Sequence, residues 1–242
     1  MMRKMAIGVL LTLLVVVMLL ALLFFGYFQK ENRAIKMAKE YLNEKYSQPM
    51  TYKGVRFSIV DPSVYHVYFS PENNSEIEFE VIIQADLTIK NTREMNYETV
   101  PQSADNYYIQ FFRNALMKEL ASYVENVFGE NVDINVVTSK GSYGYLVPEE
   151  LNDTLSVTEM EKIYDKYRIY ILTDETFSGE EALRNLSENT FEFICVLKEK
   201  DYIPVEFGVQ YFDGSGNKKQ VTFGNISTIN SEEQVKKILL SK

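Results

Sequence analysis

The chain has 242 residues, 46% of them hydrophobic and 24% charged, with a formal net charge of −9 at neutral pH. Beyond residue 28 the balance is 23 basic against 34 acidic residues, a net of −11, which argues against nucleic acid as a partner and against a domain lying flat on anionic lipid, since both need clustered Lys and Arg. The single cysteine, Cys195, rules out an intramolecular disulfide framework.

Met5 to Phe28 is a run of 24 residues without a charge, MAIGVLLTLLVVVMLLALLFFGYF. At ~1.5 Å per residue, a helix of that length crosses the ~30 Å hydrocarbon core of a bilayer. A cleaved signal peptide has an apolar region of only ~7–15 residues and a small-x-small exit, whereas this run leaves through LLFFGYF. A lipoprotein needs a cysteine just past the run, and the only one is Cys195. A core helix keeps a polar face, but here Leu and Val occupy that face too. Tyr27 and Phe28 suit the headgroup level. Arg3 and Lys4 draw the leading end to the cytoplasm, while Lys30, Arg33, Lys36 and Lys39 follow the span and pull the other way. Long domains translocate largely regardless of charge, so the preferred orientation places the domain outside.

About 214 residues remain, more than the usual ~100–150 residue domain, so two small domains are expected. In residues 30–47, Ala34, Ile35, Ala38, Tyr41, Leu42 and Tyr46 recur at helical steps, and Pro49 marks the end of that helix. Three strands follow, Val55–Val60, Val64–Phe69 and Ile77–Leu87, separated by the turn sequences Asp61-Pro62 and Pro71 to Asn74. In the third strand Glu76, Glu78 and Glu80 alternate with Ile77, Phe79 and Val81, the pattern of a half-buried antiparallel strand. Asn91 to Gln102 reads as a wide loop. Ser103 or Asp105 caps a long helix whose buried face carries Tyr108, Phe111, Phe112, Ala115, Leu116, Leu120, Tyr123, Val124, Val127 and Phe128, and Gly129 ends it.

The second half repeats these ingredients. Val132–Thr138 is a strand, and Gly141–Pro148 is a connector with room for a short strand at Tyr143–Val147. Ser156-Val-Thr-Glu159 is a capping box for a helix through Lys166. Tyr167–Leu172 is a strand. Ser178–Lys198 keeps helical spacing, although FEFICVL within it also suits a strand. Tyr202–Phe212 and Gln220–Ile226 form a hairpin through Asp213-Gly-Ser-Gly-Asn217, and Ser231 caps a last helix to Leu240.

The layout is similar to one found in Gram-positive bacteria. A basic head leads to one span, then a helix of the form A-x-x-Y-L-x-x-K-Y (Ala38 to Tyr46), then strands ending in aromatic runs such as Val64-Tyr-His-Val-Tyr-Phe69. It resembles the YfjL-like and related uncharacterised single-span membrane proteins. That resemblance implies an anchored α+β exterior module, cystatin-like or similar. It supplies no functional residues.

The residues themselves offer little chemistry. His66, the only histidine, is a general base only if folding brings it a partner, and it reads as an ordinary strand residue. Cys195, inside FICVL, reads as inert core. The row Glu76, Glu78, Glu80 reads as a solvated strand face rather than a cation site. The 213–217 loop lacks the ligand spacing of a calcium loop and the Lys-Ser/Thr of a phosphate loop. No catalytic, cofactor-binding or metal residue is assigned, and no cofactor. With 17 Tyr and 15 Phe, aromatic side chains beyond the needs of the cores suggest a protein-binding groove.

The sequence thus predicts an α+β protein, a transmembrane helix followed by helix-on-antiparallel-sheet modules. Its domains are 1–28, 29–138 and 139–242, with the internal division between Gly129 and Asn131 or in the turn-rich 139–155 stretch. The expected role is a single-pass, non-enzymatic, extracytoplasmic binding module. Its partners are the lipid bilayer, through residues 5–28, and another membrane or envelope protein. Two other readings stand beside it: an enzyme assembled from scattered carboxylates and His66, and a cytoplasm-facing sensor or scaffold.

Overall fold

The computed structural model describes residues 2–57, 64–84, 105–138, 140–141, 144–145, 151–164 and 167–241; the side chains of 2–12, 22–27, 57, 84, 140–141 and 144–145 are not part of that description. The chain is α+β and divides into two units, Met1–Asn91 and Thr92–Lys242.

The first unit opens with one helix, α1 (Met2–Lys45), 44 residues long. It joins the apolar run to the amphipathic stretch without a break. Ala34, Ala38 and Leu42 are its buried face, and Tyr46, just past its end, continues it. Their i, i+4 repeat forms a single stripe, and the two alanines let the backbone come close to the sheet. That sheet is an antiparallel meander of β1 (Met50–Phe57), β2 (Val64–Pro71) and β3 (Phe79–Gln84), in that order. Tyr65, Val67 and Phe69 sit opposite Ile83, Val81 and Phe79, and all six are buried. Period-two alternation puts them on one face, and that apolar face pairs with the stripe of α1. β1 starts five residues before the expected Val55, and β3 starts two residues after the expected Ile77, while residues 85–87 lie outside the described residues. Asp61-Pro62, Asn91–Gln102 and Ser103 lie outside the described residues. Among the described residues, no helix is long and apolar enough to cross a membrane.

The second unit contains α2 (Tyr107–Phe128), β4 (Val132–Thr138), the two-residue strands β5 (Lys140–Gly141) and β6 (Gly144–Tyr145), and α3 (Val157–Ile163). It continues with β7 (Tyr167–Phe177), α4 (Gly179–Glu199), β8 (Glu206–Asp213), β9 (Lys218–Phe223) and α5 (Glu232–Leu240). The main sheet has the order β4-β7-β8-β9. β4 and β9 pair antiparallel with their neighbours, but β7 and β8 are parallel. This corrects the purely antiparallel expectation. A helix of 21 residues separates β7 from β8, which is the crossover that a parallel pair needs.

The two units of the structure divide at 91/92, whereas the sequence places the internal division at 138/139. Phe112, Leu116, Leu120 and Val124 of α2 and Val136 of β4 share one core with Ile169, Phe193, Phe207 and Phe223. Because α2 and β4 bury their apolar faces there, the domain begins before them. The stripe on α2 falls much where expected, with Tyr107 and Ile109 added to it. Asp105 takes the Tyr107 N–H at 3.0 Å, and Gly129 stops the helix at φ 92°, a conformation open to glycine. Both expected capping boxes form, Ser156 with Glu159 and Ser231 with Gln234. α3 ends at Ile163, before the expected Lys166. The helix and strand alternatives for FEFICVL resolve to helix.

The core of this unit is aromatic. Phe207 lies 5.8 Å from Phe193 and 5.7 Å from Phe223, centroid to centroid, and Phe112 packs edge-on against Tyr164 and Tyr167. Beyond Phe28, no Tyr or Phe among the described residues is exposed. Many of them are half-buried rather than core, among them Tyr108, Phe111, Tyr123 and Phe177.

Candidate functional site

His66 lies on β2, on the face opposite Tyr65 and Val67, between Arg56 of β1 and Ile82 of β3 in register. On a pleated sheet the diagonal neighbour on the same face is two residues along. For His66 that neighbour is Glu80. Its Oε2 is 3.0 Å from His66 Nδ1. The side chain of Glu80 is 8% exposed and that of His66 is 28%. Arg56 sits over the ring of Tyr68, 5.6 Å from its centroid, on the same face. The sheet thus collects a carboxylate, an imidazole, a guanidinium and a phenol on three adjacent strands. If Nδ1 carries the proton and donates to Glu80, the tautomer is fixed and Nε2 is left as the acceptor.

The acidic row does not form. Glu76 lies in a turn, Glu78 is exposed ahead of β3, and only Glu80 enters the strand, where it is buried. The expectation of a solvated face at Glu80 is therefore corrected, and His66 is a partner of the buried carboxylate. A buried carboxylate needs such a partner, because transfer out of water disfavours its charge. The sequence signal was the i, j±2 relation of two strands, which only a known register reveals.

Cys195 is exposed on α4, not core. Phe193, Ile194 and Leu197 point inward. At 100° per residue, Cys195 falls instead on the outer stripe with Glu188, Glu192 and Glu199, all exposed. Glu192 and Glu199 are the neighbours of Cys195 on that stripe within one turn, and the exposed Arg184 lies about three turns away and pairs with Glu188. The 213–217 loop is a turn, as expected. Asp213 accepts the backbone N–H groups of Asn217 and Ser215, both at 2.9 Å, and these hold its carboxyl below the usual range. Among the described residues, no group of His, Cys, Asp or Glu could hold a metal ion.

The sheet of the second unit has a polar pairing on its outer face. Tyr170 donates its hydroxyl to Glu206 Oε1. Its ring lies against Gly208, where a Cβ would come within 2.7 Å of Cδ1, so a side chain there would displace the tyrosine. Burial first, and then the bond to Glu206, push the Tyr170 phenol up to about 12. An ordinary phenol titrates near ~10. A raised folded value favours the neutral form, so this contribution to stability is complete below ~pH 10 and is lost as pH rises through about 12. Alkaline absorbance titration is expected to find a late phenol that moves to lower pH in a Glu206→Gln variant. An unmoved titration would remove Glu206 as the cause.

A cleft of about 290 Å³ opens at the corner between β7 and α4. Thr173, Glu175 and Thr176 of β7 line one side, and Asn185 and Asn189 of α4 line the other. Phe128, Val132, Phe177 and Ala182 complete it. The corner exists because β7 is irregular. Its register against β8 runs from Leu172↔Gln210 to Thr176↔Phe212, which leaves extra residues on β7. Such bulges re-aim side chains. Gly179, at φ 87°, then turns the chain into α4.

No family model matches the chain, and no curated protein matches it. Among solved structures it is similar to a DUF5037 family protein from Ruminococcus gnavus, with 15% identity and a TM-score of 0.38, covering 86% of this chain and 99% of that one. A likeness at that level carries no argument about fold or function.

Proposed function

We propose that this chain is a membrane-anchored, non-catalytic binding module. In this reading Met5–Phe28 spans the membrane, and the α+β units stand on the outer side, where another membrane or envelope protein is the partner. The observation that carries the reading is the surface of α1. Leu13 to Leu20 are eight consecutive apolar side chains, each 49–62% exposed. At 100° per residue they sweep all sides of the helix, so every side is apolar and open. Water does not favour so continuous an apolar sleeve, while lipid does. The net charge of −11 beyond residue 28 keeps the units off anionic headgroups and suits a module that projects from the surface. A long helix against an antiparallel meander supports a cystatin-like first unit. The resemblance to YfjL-like proteins supports a Gram-positive envelope.

The natural protein reports its own side, because Cys195 is both the sole cysteine and exposed. In intact cells, a membrane-impermeant maleimide is expected to label Cys195 on a protein that stays in the pellet after alkaline carbonate. Labelling only after lysis would place the units in the cytoplasm. Release by carbonate would remove the anchor.

One observation favours the enzymatic alternative, the His66–Glu80 pair, since a carboxylate on Nδ1 is how an imidazole is oriented for base catalysis. A structural role makes a different prediction. His66→Ala leaves a buried carboxylate short of its partner and is expected to lower stability by about 1–3 kcal/mol while the phenotype of a deletion strain is still complemented. Loss of complementation at unchanged protein level would turn the reading to catalysis.

A further inference from the structure

The geometry points to the cleft between β7 and α4 as a binding site for a small neutral saccharide of one or two rings. The inference stands on the second unit alone and does not depend on the membrane reading. Three features carry it.

The first is unused hydrogen-bonding capacity of one kind. Asn185 and Asn189 are four residues apart on α4, so their side chains share one face of the helix, and both line the cleft. Each primary amide offers donors and an acceptor side by side, which matches a vicinal diol. Neither amide has a hydrogen-bond partner among the described residues. Thr176 adds a hydroxyl and Glu175 an acceptor carboxylate from the opposite wall, both on exposed residues.

The second is that two aromatic side chains of the lining are each held in place by a neighbour. Phe177 is fixed edge-on against Tyr211, at 5.8 Å and 86°, and Phe128 against Phe193, at 5.9 Å and 64°. Rings held by neighbours do not have to be ordered when a ligand arrives. A pyranose presents hydroxyls at its edge and C–H groups on its faces, and the lining offers mostly polar groups with two aromatic side chains among them.

The third is what the lining lacks. It contains no Lys, Arg or His, so a phosphate or carboxylate finds no countercharge there. Its one carboxylate falls short of the oxygen cage that a hard cation requires. The volume, about 290 Å³, lies just below the usual range of ligand pockets, ~300–1,000 Å³. That limits the occupant to one or two rings.

The test uses the full-length protein in a zwitterionic detergent free of sugar headgroups. Glucose, N-acetylglucosamine, cellobiose and chitobiose are titrated by saturation-transfer NMR and calorimetry, with a neutral Gly-Ser peptide as a further arm. At least one sugar is expected to saturate. Asn185→Ala and Asn189→Ala are each expected to weaken it about tenfold, and Ala182→Trp, which fills the cleft, is expected to abolish it. Asn185 is exposed on a helix, so its alanine variant keeps the fold and the comparison holds even if the tryptophan variant does not. Failure of all four sugars to saturate, equal affinity in the asparagine variants, or preference for the peptide would each overturn the assignment.

Discussion

Arginine at both Leu14 and Val17 is expected to release the protein from the membrane, whereas arginine at either position alone leaves it there. The uncharged run holds sixteen Leu, Ile, Val and Phe residues. On an insertion scale each contributes ~−0.3 to −0.6 kcal/mol at the helix centre, and a central arginine costs ~+2.5 to +3.5 kcal/mol. In the anchored reading proposed above, the natural segment would insert with a margin on the order of 5–10 kcal/mol. One arginine, with the apolar residue it replaces, removes about a third to a half of that margin; two remove nearly all of it. Positions 14 and 17 lie near the middle of the run, where the aliphatic stem of arginine reaches the interface least easily. Carbonate extraction of the single and double variants reads the result. A double variant that remains in the pellet would mean that lipid insertion of this segment is not what holds the protein.

Phe207→Ala is expected to cost the second unit about 3–5 kcal/mol, the usual range for a fully buried phenylalanine. The side chain has no exposed surface, and its ring contacts Phe193 from α4 and Phe223 from β9. Phe193 in turn meets Phe128 at the end of α2. One ring thus ties both helices to the middle of the sheet, and the surrounding rings are too large to close over the hole. Against a typical domain stability of ~5–15 kcal/mol, the loss is a large fraction of the total. Urea melts followed by tyrosine near-UV dichroism measure it directly. A shift below about 1 kcal/mol would mean that the aromatic chain is looser than its distances imply.

What the sequence disclosed was mainly what depends on neighbours along the chain. The stripes of α1 and α2, the two capping boxes and the 213–217 turn all arise within about four residues, and each was legible. Pairing across the chain was not. Alternation marks β7 and β8 as strands, but it carries no sign of whether they run parallel. Nor does it say that α2 and β4 belong with the later strands. Glu80 read as a solvent-facing member of an acidic row because its partner, His66, is fourteen residues away and meets it only across a β2–β3 register. Cys195 read as core because its neighbours are apolar. In a helix one residue step is 100°, enough to turn a side chain from inside to outside. The β7–α4 cleft was hidden for a related reason: Asn185 and Asn189 look like ordinary surface residues until an irregular strand is placed opposite them.

The parallel pairing of β7 with β8 also sets an order of assembly. In the first unit Phe57 meets Tyr65 and Phe69 meets Phe79, so short connections suffice and the meander can close once residue 84 has been made. In the second unit Arg168 has to wait for Glu206, and the sheet is finished only when β9 pairs at Phe223. Closing that longer loop comes late and slowly. On a growing chain the first unit therefore closes early, while the β8 side of β7 stays unpaired until residue 206 onward is made. Misfolding during synthesis, and the help of a chaperone, should concentrate on the second unit.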